Sequence, residues 1–357
     1  MKPKKIAIVA EWLTSRGGAE QVLDALLETY PSAQLFTTVY NPKRLPEYLK
    51  RKPITSFLQN IPVARNRHQA LPPLLLRAIE SLNFGDYDLI ISSSSAIGKG
   101  IKKPDGAVHV CYCHTPMRYV WQSHIDRRLV QIPFGKHFIN YLKKWDLKTN
   151  SGVDYFLTNS NNTKKRIKDF YNREAAVIYP PVEITPPKDR VKKQEFYLCL
   201  GRLIPYKRFD LAISACRKLN RKLIIAGIGP ELKSLKKIAA NNTEFVGRVN
   251  DKQKARLLSR ARALIFPSDE DFGIVPVEAM GYGTGVIALG KGGALESVID
   301  GKTGVFFKEQ TEESARSAIM EFERLKLDPA FMQNHAKKFS KNRFKSEIKE
   351  FIERIKL

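Results

Sequence analysis

The stretch FPSDEDFGIVPVEAMGYGTGVIA, residues 266–288, decides how this chain is read. Phe266 closes a short apolar run over 263–266, and a polar loop follows at 268–273. Pro276 then stands where the first turn of a helix tolerates a residue without an N–H. Residues 285–289 return to an apolar run. Strand, loop, helix and strand in this order form the βαβ unit of a parallel sheet. Two carboxylates stand eight residues apart in it, Glu270 on the loop and Glu278 in the opening helical turn. Between them, Phe272, Gly273 and Ile274, with Val275 beside them, present backbone N–H groups at a helix N-terminus. Its positive end favours an anion such as a diphosphate. Carboxylates are poor phosphate ligands and suit hydroxyl groups on either side of it: a sugar for Glu270, a ribose for Glu278.

Units of the same kind run outward in both directions. Towards the N-terminus of this half, strands are expected at 196–200, 222–226 and 243–246, with a helix at 210–219. The first half opens with a strand at 5–10 (KIAIVA) and the turn Arg16-Gly17-Gly18-Ala19-Glu20. A helix at 21–30 follows, with Val22, Leu23, Leu26 and Leu27 at helical spacing. Further strands are expected at 33–38, 87–92, 107–113 and 153–159, and helices at 71–83 and 160–171. The alternation predicts an α/β protein of two doubly wound, parallel-sheet Rossmann-like domains, 1–178 and 195–341. A Pro-rich, charged linker is expected at 179–194, and a basic amphipathic helix at 342–357 packs back toward the N-terminal domain. A length of 357 residues with 43% hydrophobic content suffices for two cores. Two such sheets facing across a cleft would hold a donor on one side and an acceptor on the other.

The formal charge of +25 is spread over both halves and favours an anionic partner. Nucleotide phosphates and an anionic membrane surface remain as partners. No zinc finger, aromatic RNA-binding signature or basic zipper is present, so nucleic acid is not expected. The four cysteines make no secreted disulfide framework. Cys111-Tyr112-Cys113-His114 lacks a second pair of ligands nearby and reads as a buried strand end, so no metal site is expected. Gly227-x-Gly229 ends on Leu232 where a dinucleotide fingerprint needs glycine, which argues against a dehydrogenase. The apolar run 6–10 is short and broken by Glu11, and no run approaches the ~20 residues of a spanning helix. A cytoplasmic protein is expected, soluble or peripheral on the inner face of the plasma membrane. Basic clusters at Lys43-Arg44, Lys50-Arg51-Lys52, Arg65-Asn66-Arg67-His68 and Lys143-Lys144 adjoin the apolar stretches 71–76 and 134–142. That is the pattern of a surface docking on anionic lipid; the alternative is a core helix at 71–83 with solvated bases.

Glu270-x7-Glu278 inside EDFGIVPVEAMGYGTGVIA resembles the signature of the retaining GT-B glycosyltransferases of family 4, and the resemblance covers essentially the whole chain. Gly17-Gly18-Ala19-Glu20 is similar to that family's N-terminal glycine loop. Cys113-His114-Thr115-Pro116 with Arg118, Tyr119 and Trp121 resembles a motif of its mannosyltransferase-like members. Gly201-Arg202-Leu203 with Lys207 resembles its phosphate-clamping strand end, and Val246-Gly247-Arg248-Val249 the segment that touches the base. Gly285, where proline is usual, and Asp271, where glycine is common, depart from the pattern. The resemblance implies a GT-B hexosyltransferase moving mannose from GDP-mannose, with retention, to a glycan or lipid-linked oligosaccharide. It also implies roles. Arg202 and Lys207 neutralise the diphosphate, Glu270 orients the sugar, and His114 hydrogen-bonds it. Gly17 and Gly18 admit the sugar-phosphate, while Arg118 and Tyr119 stand on the acceptor side. The departing phosphate takes the acceptor proton, and neither metal nor other cofactor is required. A nucleotide-sugar epimerase, a phosphorylase or another GT-B enzyme stays open as an alternative.

Overall fold

The computed structural model describes residues 5–14, 17–44, 52–123, 129–131, 134–185 and 191–355. The chain divides into two compact units, Met1–Pro181 with Lys341–Leu357, and Val182–Ser340. The first holds strands β1 (Ile6–Ala10), β2 (Gln34–Thr37), β3 (Ile54–Thr55), β4 (Leu89–Ser94), β5 (Val108–Cys113), β6 (Tyr155–Thr158) and β7 (Ala175–Val177). They lie in the order β3-β2-β1-β4-β5-β6-β7, every pair parallel. The second holds β8 (Phe196–Leu200), β9 (Lys222–Ala226), β10 (Thr243–Gly247), β11 (Ala263–Phe266), β12 (Gly285–Leu289) and β13 (Gly304–Phe307). Their order is β10-β9-β8-β11-β12-β13, again all parallel.

A parallel strand inside such a sheet is covered on both faces, so its sequence is apolar throughout and does not alternate. β1, β8, β11 and β12 obey this and are buried along nearly their whole length, and β4 is buried throughout although it ends in Ser92–Ser94. In each sheet the strand order reverses direction once, between β1 and β4 and between β8 and β11. Helices leave to opposite faces there, and a crevice opens outside the strand C-termini. Both crevices carry the motifs singled out above.

Several limits differ from the sequence reading. The helix after β1 spans Gly18–Thr29, so Gly18 is its first residue and Gly17 its N-cap. β4 continues through Ser93 and Ser94, residues expected to form the turn. Three short strands, β3, β7 and β13, escape a reading by apolar runs; β3 has two residues and β7 three. Residues 179–181 stay with the first unit, while the Val182 N–H already bonds the Phe339 carbonyl (2.8 Å) in the second. Within the segment read as a linker, 186–190 fall outside the described residues. Arg16 and the basic positions Lys50 and Arg51 also lie outside them.

Helix Pro72–Glu80 buries Leu75, Leu76, Ala78 and Ile79 in the first unit's core. Within the 71–76 stretch Leu75 and Leu76 are therefore core residues, Leu71, Pro72 and Leu74 are half-buried and Pro73 is exposed. Cys111 and Cys113 are fully buried strand residues, and burial pushes the Cys111 thiol up to about 12. Among the described residues, no three His, Cys, Asp or Glu side chains could hold a metal ion. No described helix is long and apolar enough to cross a membrane.

Candidate active site

In the second unit the crevice lies where β8 and β11 pair. β8 is followed by Gly201-Arg202, and Pro205–Lys207 form a 3-10 turn that carries Lys207 beside Glu270. Arg202 is exposed, whereas Lys207 is buried. The Lys207 ammonium pairs with Glu270 Oε1 and lies 5.6 Å from the Phe266 ring centre and 5.8 Å from that of Tyr206. Ser268 donates its hydroxyl to the same Glu270 oxygen at 2.8 Å. One cation and one hydroxyl from two adjoining strand ends thus fix the Glu270 carboxylate. An ammonium has three N–H donors. Lys207 can therefore hold Glu270 and still offer a donor to an anion beside it.

The loop bearing Glu270 is shaped by glycines. Gly273 caps helix Ile274–Gly281 at φ 84°, with no side-chain cap, and a Cβ there would come within 2.9 Å of the Phe266 ring. Gly292 and Gly293 press on this loop from the end of β12. A Cβ on Gly292 would strike the Glu270 carbonyl, and one on Gly293 would strike Phe272. The Gly293 N–H donates to the Glu270 carbonyl at 2.8 Å. Ser268, Gly292 and Gly293 were not read as site residues. A Gly-Gly pair two residues beyond a predicted strand is the available signal, since only a residue without a Cβ lets two backbones approach this closely.

Glu278 is the fifth residue of helix Ile274–Gly281, one turn later than expected, because the helix starts at Ile274. It is 4% exposed, and Lys254 Nζ lies 2.8 Å from its Oε1. Lys254 comes from helix Asp251–Arg260, whose N-cap Asn250 accepts from the Gln253 N–H. Arg248 follows β10 and is exposed. Phe272 is buried, and Ile274 and Val275 are half-buried. The structure therefore brings Lys207, Ser268 and Glu270 into contact and sets Glu278 of helix Ile274–Gly281 with Lys254 of helix Asp251–Arg260 as a second pair. With Glu278 at a ribose, as the resemblance implies, Glu278→Ala is expected to weaken nucleoside-diphosphate binding by about tenfold with little change in turnover, because only uniform binding would be removed. Calorimetry beside steady-state kinetics checks this, and a loss confined to turnover would contradict it.

In the first unit β1, β4 and β5 are neighbours. Their C-terminal ends carry Glu11, the turn after Ser94, and His114. His114 Nε2 lies 2.8 Å from Ser93 Oγ, its backbone N–H bonds the Ser94 carbonyl, and its ring meets Tyr112 edge-on. Gly17 donates its N–H to Glu20 Oε2 at 2.6 Å, and burial raises the Glu20 carboxyl to about 7. Arg118 and Tyr119 open the four-residue helix Arg118–Trp121. Behind that helix lies a buried ion pair, Lys99–Asp146 at 2.9 Å. Asp146 also accepts from Trp121 Nε1 (2.6 Å) and the Tyr171 hydroxyl (2.8 Å). The sequence reading treated Glu11 only as the break in an apolar run. Here it is 6% exposed and organises the turn after β4.

Comparison with known proteins defines the class. A family described as Glycosyltransferase Family 4 matches residues 16–185, and one described as Glycosyl transferases group 1 matches 182–345. The chain belongs to the family 4 glycosyltransferases, with the GT-B fold and mannosyltransferase-like relatives. Among these relatives is the alpha-1,3/1,6-mannosyltransferase ALG2 of Kluyveromyces lactis, 30% identical over 257 residues, covering 56% of this chain and 49% of that one. Another is the GDP-mannose-dependent alpha-(1-6)-phosphatidylinositol monomannoside mannosyltransferase of Mycobacterium tuberculosis, 27% identical, covering 48% and 52%. The matches thus span about half the length of these two relatives. The crystal structure of Anabaena HepE in complex with UDP superposes over 98% of this chain and 100% of its own with a TM-score of 0.70 at 19% identity.

Proposed function

We propose that this chain is a retaining mannosyltransferase that takes mannose from GDP-mannose and passes it to a glycan or a lipid-linked oligosaccharide. The observation that carries the reading is the contact of Lys207 and Ser268 with Glu270 at the switch point of the second sheet. Lys207 and Arg202 meet the diphosphate, whose charge grows as the glycosidic bond breaks. Glu270 accepts hydroxyl groups of the sugar and orients it without attacking it. The departing phosphate removes the acceptor proton on the face it leaves, so configuration is retained. The nucleotide lies along helix Ile274–Gly281, with Glu278 at the ribose and Arg248 near the base. In the first unit, Gly17, Gly18 and His114 serve the donor sugar, and Arg118 and Tyr119 the acceptor. Two relatives named as mannosyltransferases support mannose, and one of them is named for GDP-mannose.

A donor screen tests the reading. Purified protein is incubated with GDP-mannose, UDP-glucose and UDP-galactose, with release of nucleoside diphosphate measured with and without EDTA. GDP release from GDP-mannose alone, unchanged by chelator, is expected. Turnover of a UDP-sugar in its place would reassign the donor, and complete loss with EDTA would refute the metal-free step. Conversion of the donor without release of nucleoside diphosphate would point to an epimerase.

Access to a lipid-linked acceptor fits a second feature. Helix Gly135–Lys148 buries Ile139 and Leu142 but exposes Tyr141 and Leu147 beside Lys136, Lys144 and Lys148, and Phe134 at its start is 83% exposed. Bases flanking exposed aromatic rings suit an anionic bilayer surface, each contributing about 1 kcal/mol. The protein is expected to sediment with phosphatidylglycerol vesicles at low salt, to release as salt rises, and to ignore phosphatidylcholine vesicles. No pelleting on the anionic vesicles would remove the membrane from the proposal.

A further inference from the structure

Glu11 follows β1, the strand at the switch point of the first sheet. Its Oε1 accepts four hydrogen bonds: from the N–H groups of Ser95 (2.9 Å), Ala96 (2.5 Å) and Gly98 (2.9 Å) and from the Ser94 hydroxyl (3.2 Å). These donors wrap the turn after β4 around one oxygen. The second oxygen, Oε2, accepts nothing among the described residues, and it is not sealed from solvent. An acid in this position carries a desolvation cost, because Glu11 is 6% exposed and its charge is largely taken out of water. If its role were only to close the turn, a serine or asparagine oxygen could satisfy the same N–H groups with no charge to bury.

We propose that Glu11 Oε2 accepts a hydrogen bond from a hydroxyl group of the acceptor sugar. The assignment rests on the glycosyl-transfer reading above. A carboxylate oxygen only accepts, so its ligand must be a donor. Oε1 anchors the group to the turn, and the same turn carries Ser94, whose carbonyl bonds the His114 N–H. Glu11 thereby lies at the C-terminal edge of the first sheet, in the domain that the glycosyl-transfer reading gives to the acceptor. Burial raises its carboxyl, and the N–H groups of Ser95, Ala96, Ile97 and Gly98 oppose that rise.

Glu11→Gln separates the two oxygens. The amide oxygen can take the place of Oε1 and keep the turn, while the amide nitrogen replaces Oε2 and cannot accept. Transfer is measured to an acceptor chosen from a panel of p-nitrophenyl glycosides, alongside hydrolysis of the donor by water and thermal unfolding. Losing one hydrogen bond to a charged group is expected to lower kcat/KM for the acceptor about 10- to 100-fold, with donor hydrolysis and melting temperature unchanged. A variant within about twofold of wild type in acceptor kcat/KM overturns the proposal while leaving glycosyl transfer intact. A second measurement needs no variant. Across acceptors each lacking one hydroxyl, wild-type enzyme should lose a comparable factor at a single position, and a flat series overturns the assignment. A wild-type protein that hydrolyses and transfers no nucleotide sugar overturns both this inference and the reading it rests on.

Discussion

Glu270→Ala is expected to cut turnover on the order of 10³-fold while nucleoside-diphosphate affinity is kept or rises. The split follows from the partners of Glu270. In the free protein its carboxylate neutralises Lys207, a mostly buried cation. Removing the acid takes away the group that orients the sugar, so the chemical step suffers. It also leaves Lys207 with its full charge, which an incoming diphosphate can compensate. The same loss should lower stability by about 3 kcal/mol, the usual cost of breaking one side of a buried pair. Added nucleoside diphosphate should restore more of that stability in the variant than it adds to wild type. Kinetics, calorimetry and thermal unfolding with and without nucleoside diphosphate check the three parts. Full activity would remove Glu270 from the site, and a fall in diphosphate affinity matching the fall in turnover would move it to the phosphate.

Lys207→Ala is expected to lower kcat/KM for the donor by about 2–4 kcal/mol of transition-state stabilisation, or roughly 30- to 1000-fold. Here diphosphate affinity should fall as well, since the cation serves bound and reacting states alike. Arg202→Ala should share this kinetic loss but spare stability, because Arg202 is exposed whereas Lys207 holds Glu270. A Lys207 variant with less than about tenfold loss would mean that Arg202 carries the diphosphate by itself. A Lys207 loss in turnover alone, with affinity intact, would confine its action to the reacting state.

What could be read from the sequence is the part governed by local chemistry. An uninterrupted apolar run such as 263–266 specifies a buried parallel strand, and the residue that ends it marks the crevice. Glu270, Phe272 and Gly273 were legible for that reason. Lys207 was singled out by the resemblance of Gly201-Arg202-Leu203 and Lys207 to the family's strand end, and the 3-10 turn Pro205–Lys207 carries it there. The partners of these residues were not legible. Ser268 is an ordinary loop serine until Glu270 folds over it, and Lys254 is one of many lysines until its helix meets Glu278. Glu11 is the clearest case. Its four donors lie more than eighty residues away and converge only when β1 pairs with β4. β13 went unread for a related reason. Gly304 opens a four-residue strand with no run long enough to announce it, and pairing with β12 supplies the order. The helix limits differ for local reasons, since glycine can both cap and begin a helix and the sequence does not say which.

Helix Lys341–Arg354 belongs to the first unit although all of 182–340 precedes it. Its Phe344, Ile348 and Ile352 are buried among Ile8, Leu23, Leu26, Tyr112 and Ile178, and Lys341 and Lys345 pair with Glu28. During synthesis the first unit therefore waits with an open apolar face on helix Gly18–Thr29 while the second emerges as one continuous segment. The second unit can finish first, reversing the usual N-to-C order of domain folding. A chain ending at residue 340 would hold every residue of the second unit and leave the first still lacking a wall.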